Sequence, residues 1–139
     1  MTGKKASAIR TKYPPVVNVS KIGVYPAHTF AGGGHVYDDI LEYRVWVHPE
    51  RGGKDLDNGN DYFFAFESYG KANSFSKKTR GAENPLALVL QREWIDEPEP
   101  GVRVLKKGKR VTEWNVAWLA NYKRTPELIA SLMQIRKAA

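Results

Sequence analysis

The sequence predicts an α+β fold: a small, mostly antiparallel sheet with helices packed on one face, in the order ββαβ(β)αα, preceded by an extended basic arm. Three observations carry this expectation. Residues 40–48 alternate apolar and polar side chains with a period of two. Leu128, Ile129, Leu132 and Ile135 form a stripe at helical spacing. Strand-like and helix-like stretches are segregated along the chain rather than regularly alternating, and 139 residues suit one domain. The division expected is a flexible basic arm over residues 1–38 and a single α+β domain over 39–139.

Taken in order, the arm contains "YPPVV", which favours extended backbone, and "AGGGH", which costs too much entropy inside a helix or strand. In the first strand Leu41, Tyr43, Val45 and Val47 point one way, and Glu42, Arg44, Trp46 and His48 the other. The aromatic run Tyr62–Ser68 is the second strand, paired antiparallel with the first across residues 49–61. A helix follows over Tyr69–Thr79, with Gly81 placed for a C-terminal cap. "PLALVLQREWI" reads as a buried central strand, and "DEPEPG" breaks it. A short strand over Val102–Leu105 leads into a basic turn, "KKGKR". Residues 111–122 place Val111, Trp114, Trp118, Leu119 and Tyr122 on one helical face, with strand as the rival reading over 110–116. Thr125 caps the last helix and Pro126 occupies its first position.

The chain holds four Trp, seven Tyr and five Phe but no Cys, which excludes disulfides and thiolate metal sites. No apolar core follows the basic N-terminus and no apolar run approaches the ~20 residues of a membrane helix, so a cytoplasmic protein without membrane contact is expected. The net charge of +7 is unevenly spread. Residues 1–38 carry +4, residues 39–101 carry −4 and residues 102–139 carry +7. Basic ends on a mildly acidic middle point to a polyanionic partner, nucleic acid or an acidic protein surface.

Between the first two strands, "DLDNGND" resembles a calcium loop at first sight. Counted from Asp55, however, positions five, six and twelve are Gly59, Asn60 and Phe66, which breaks the pattern. Asn58-Gly59 is instead a turn signal. His48, with Glu50 or Glu42 to orient it, is the best local acid–base candidate, although a strand-end histidine is the plainer reading. His28 and His35 lie in the Gly-rich arm without the strand–turn–helix setting of a phosphate loop. Glu93, Asp96, Glu97 and Glu99 read as a stiff, solvated turn. No catalytic residue, metal ligand set or cofactor is therefore expected.

The basic stretch is more informative. Arg103, Lys106, Lys107, Lys109 and Arg110, with Lys123 and Arg124 joining them in space, are the candidate nucleic-acid-binding residues. Trp114 and Trp118 lie between, suited either to base stacking or to the core. The leading expectation is a non-catalytic module docking on nucleic acid or a ribonucleoprotein, with a protein–protein adaptor as an alternative.

"LEYRVWVHPERGG", "GNDYFFAF", "PLALVLQREWIDEPEPG" and "TEWNVAWL…KRTPELI" cover most of residues 39–130. They resemble a small, largely uncharacterised proteobacterial family, some members of which are labelled GNAT-type acetyltransferases. The resemblance implies an acetyl-coenzyme A-dependent acetyltransferase as a further alternative. That fold's coenzyme loop resembles Q/R-x-x-G-x-G/A at a helix start. No such string occurs here, so the resemblance transfers no catalytic or coenzyme-binding residue.

Overall fold

The structure is a computed structural model that describes residues 13–27, 36–120 and 122–138. Four strands form one antiparallel sheet: β1 (Asp39–Val47), β2 (Tyr62–Phe66), β3 (Leu86–Glu99) and β4 (Val102–Asn115). Their spatial order is β2-β1-β3-β4. Helix α1 (Tyr69–Lys78) follows β2, and helix α2 (Pro126–Ala138) ends the chain. Among the described residues no helix is long and apolar enough to cross a membrane.

Period-two alternation makes β1 a strand, but a bulge at its start changes which residues share a face. Ile40 pairs with Val89 and Glu42 with Leu88, which leaves Leu41 as the extra residue. Ile40, Tyr43 and Val45 therefore join Ala87, Val89 and Trp114 in the main core, beneath Ala72 of α1. Leu41 packs with Leu88 and Leu90 in a second cluster, against Tyr25 and Ala27. The expected single apolar row from Leu41 to Val47 is thus corrected, since a bulge shifts side-chain parity.

The other face of β1 is buried too. Glu42 and Arg44 are 0% and 1% exposed, and their charges are satisfied by one another and by backbone. Glu42 accepts from the Gly23 amide at 2.6 Å, while the Arg44 guanidinium donates to the Tyr25 carbonyl and to Glu113 at 3.1 Å. Phe63 lies 4.1 Å from that guanidinium, and Trp46 donates to Glu113 at 3.0 Å. Such burial is tolerable only because the charges are paired and hydrogen-bonded.

Part of the segment expected to form an arm supplies this cover. Val16 is buried, its amide donates to the Glu67 carbonyl at 3.1 Å, and the Val17 amide donates to Ile40 at 2.8 Å. Residues 1–12 and 28–35, including His28, His35 and the Gly run, lie outside the described residues.

Two more expectations are corrected at β3 and β4. "DEPEPG" does not break the strand: β3 continues to Glu99, Pro98 sits at a bulge where no ladder donor is needed, and Gly101 turns the hairpin at φ 89°. "KKGKR" is not a turn but the middle of β4, with a second bulge opposite Gln91 and Glu93. Residues 111–122 are not an α-helix. β4 runs through Asn115, in register with the buried β3, and a short 3-10 turn covers Val116–Leu119. Local helical spacing loses to cross-strand pairing with a central strand. α1 and α2 start where expected, with Ser68 accepting from Lys71 and Thr125 from Leu128 at 3.2 and 3.0 Å.

Candidate functional site

Beyond Leu90, β3 has no partner in β1. The outer half of the β3–β4 hairpin thus leaves the sheet as a two-stranded ribbon. β4 is an edge strand, and its outer side carries the basic run. Lys106, Lys107 and Lys109 are exposed and Arg103 is half-buried. The facing strand is acidic, and Glu93 pairs in register with Lys107, their charged atoms 3.9 Å apart.

The other predicted binding residues have structural partners. Arg110 donates to Gln91 at 2.9 Å and stacks 4.3 Å from the Trp94 ring, where burial lowers its pKa. Arg124 is held by Asp38 and reaches Glu93 at 3.0 Å, and its pKa is raised chiefly by the Asp38 hydrogen bond. Lys123 donates to the Asp38 carbonyl at 3.0 Å. Arg124 meets the ribbon through Glu93, whereas Lys123 is held at the Asp38 carbonyl outside it. Trp114 is core, edge-on to Tyr37 at 5.6 Å, and Trp118 is 40% exposed.

A second polar constellation sits at the far end of β1. Val47 pairs with Tyr62, so His48 and Asp61 are the next residues across the hairpin. His48 is 7% exposed. Its Nε2 meets the Glu83 carboxylate, and its Nδ1 lies 2.8 Å from Asp61 Oδ1. That second approach is out of line for a hydrogen bond, so Nδ1 has a carboxylate neighbour but no hydrogen-bond partner. Burial alone would lower the His48 pKa; the carboxylates of Asp61 and Glu83 outweigh it and hold the ring above its ordinary value. Glu50 and Glu42, expected to orient His48, do not: Glu42 is engaged with Arg44, and Glu83 takes the orienting role.

Backbone packing fixes this end of the sheet. The His48 amide donates to Gly81 at 2.9 Å, and the Glu83 amide donates to Trp46 at 2.8 Å. The His48 carbonyl accepts from Gly53 at 3.1 Å. The loop beyond behaves as the turn signal predicted. Asn58 and Gly59 have φ of 52° and 78°, and the Asn60 amide closes the turn on Asp57 at 2.9 Å. Beside it, Arg51, Glu83, Asn84, Tyr69 and Asn115 line an open, polar cleft of about 840 Å³. Glu83 links that cleft to the His48 ring, and the Arg51 amide donates to the His48 carbonyl at 3.0 Å; nothing in the sequence around residue 83 signalled the Glu83 contact.

The chain matches no protein family, no curated protein and no solved structure.

Proposed function

We propose that this chain is a non-catalytic binding module that docks on nucleic acid through the free edge of β4. The observation that supports the reading is the ribbon itself. Arg103, Lys106, Lys107 and Lys109 lie along an unpaired strand edge that stands clear of β1. Eight residues of ribbon extend about 25 Å at strand rise, and a two-stranded ribbon fits the ~12 Å major groove of a duplex. Lysines on an edge also discourage strand addition, so the same residues keep the ribbon from aggregating. The acids of β3 confine the attraction to one side of the ribbon and favour a docked orientation over a diffuse one. Arg110 and Arg124, already partnered, brace the ribbon, and Lys123 is tied to Asp38, so these three are assigned no phosphate contact.

The test is binding of labelled duplex DNA and single-stranded RNA from low to physiological salt. Each phosphate contact contributes roughly 0.7–0.9 to the log–log salt slope. Replacing Arg103, Lys106, Lys107 and Lys109 with Ser should lower that slope by about three, while Arg124→Ser should instead lower stability. Absence of binding at low salt, or a full slope in the four-residue variant, would sink the nucleic-acid reading and leave the protein adaptor. Salt-resistant binding of acetyl-coenzyme A would favour the acetyltransferase alternative.

A further inference from the structure

We propose that His48 Nδ1, Asp61 and Glu50 form a zinc-binding site, independent of the basic ribbon. The donor atoms of these three residues lie within 4.8 Å of one another. No sequence spacing marks them as a set: the β1–β2 pairing sets Asp61 opposite His48, and the 3-10 turn at Pro49–Arg51 folds Glu50 back toward both.

Acidic clusters on surfaces are common without an ion, and two carboxylates alone would mean little. The histidine distinguishes this one. Its Nδ1 is buried without a hydrogen-bond partner and faces Asp61 Oδ1 at 2.8 Å. Zinc at Nδ1 would displace the proton that the neighbouring carboxylates favour there and replace a misaligned contact with a bond. The opposite nitrogen, Nε2, is held by Glu83, the arrangement in which a carboxylate fixes the tautomer and orientation of a metal-ligating imidazole. The ring is further anchored by the backbone contacts with Gly81 and Gly53.

Zinc–nitrogen and zinc–oxygen bonds of about 2.0–2.2 Å place tetrahedral donors ~3.4 Å apart. The His48–Asp61 pair needs to open slightly, and the wider separations need to close by about an ångström. Asp61 and Glu50 are exposed and can adjust, whereas His48 need not move. Three protein donors leave one tetrahedral position for water or a ligand oxygen. The mixed nitrogen and oxygen set selects zinc over magnesium and calcium, which prefer oxygen alone.

The test is calorimetric titration of the full chain with Zn²⁺, in a His28→Ala/His35→Ala background that removes the other histidines. One equivalent should bind with a micromolar or tighter Kd, and Mg²⁺ and Ca²⁺ at the same concentrations should not. Asp61→Asn and Glu50→Gln alter exposed side chains, so the fold should survive. Each should weaken zinc by at least about tenfold, and Glu83→Gln by about 10- to 100-fold. Nitrogen NMR should show the His48 Nδ1 resonance moving on zinc addition, with Nε2 remaining protonated. Failure to bind one equivalent, or equal affinity in wild type, Asp61→Asn and Glu50→Gln, would refute the site.

Discussion

Gly81 shows how closely the ends of β1 and the following loop are packed. A Cβ on Gly81 would lie 2.5 Å from the Gly53 nitrogen and 2.8 Å from the His48 carbonyl oxygen, and its φ is 79°. Both opposing groups are backbone and cannot swing aside. Gly81→Ala should therefore cost more than the ~1–3 kcal/mol of a strained backbone alone. Gly59→Ala, with φ 78° but open space, should cost only about 1 kcal/mol. Urea unfolding of the two variants measures the difference. Tyr43 provides a separate reading of burial. Its hydroxyl donates to the Pro14 carbonyl, and burial, with Tyr37 and Tyr13 adding to it, raises its pKa above 10.0. A folded-state pKa above the unfolded one gives stability that is complete below about pH 10 and is lost as pH rises toward the folded value. At neutral pH, Tyr43→Phe should cost about 0.5–1.5 kcal/mol for the lost hydrogen bond. Above pH 10 wild type should lose stability relative to that variant, a crossing trend that paired unfolding curves would show or exclude.

Among the elements, the β3–β4 hairpin divides into two parts with different expected dynamics. Leu86–Leu90 is paired on both sides, and Ala87–Leu90 is buried. Glu93–Glu99 is paired only to β4. A two-stranded ribbon by itself is marginal in water, so even with Ile95 buried and α2 in contact with β4 its amides should open more readily than those of the sheet. Hydrogen exchange should be at least about tenfold faster at paired ribbon amides than at Leu88 and Val89. Equal protection would show that the ribbon is held by more than its own ladder. The Arg110–Trp94 stack and the Gly108 bulge beneath the Trp94 ring are the local braces. Adding a Cβ at Gly108 brings it 3.2 Å from that ring, so Gly108→Val should loosen the ribbon without touching the core.

Across the whole molecule, the segment around residues 13–27 acts as a strap. It carries Val16 into the core, and it presents the Gly23 amide to Glu42 and the Tyr25 carbonyl to Arg44. Deleting residues 1–27 strips partners from two buried charges and should destabilise strongly. Arg44→Met should cost about 3–5 kcal/mol, because Glu42 and Glu113 stay behind without their cation. Combining it with Glu42→Leu should recover part of that loss. A double variant no better than the single one would mean that Glu42 is independently satisfied by Gly23.

Much of the fold was legible in local chemistry. Alternation located β1, aromatic content located β2, Asn58-Gly59 marked the turn, and Thr125 sits where the last helix begins; Ser68, read as strand, caps the first helix instead. These signals involve neighbours within a few residues, so each stretch carries its own evidence. The basic ribbon was legible as composition but not as geometry. "KKGKR" contains a Gly and reads as a turn until its long-range pairing with Gln91–Trp94 is known. The fate of residues 111–122 was a contest between a helical and a strand period, and pairing with the buried β3 decided it. The bulge at Leu41 took that residue out of the expected apolar row and brought Ile40 into it, because parity depends on a partner strand as well as on the strand itself. The His48 site belongs wholly to tertiary structure. Asp61 reaches His48 through hairpin register, and Glu83 through a loop whose Gly81 permits direct backbone contact. Sequence by itself determined the strand and helix formers, the turn and the uneven charge. Only the three-dimensional packing decided which charges are buried, which are paired and which face solvent, because those outcomes depend on groups far apart in the chain.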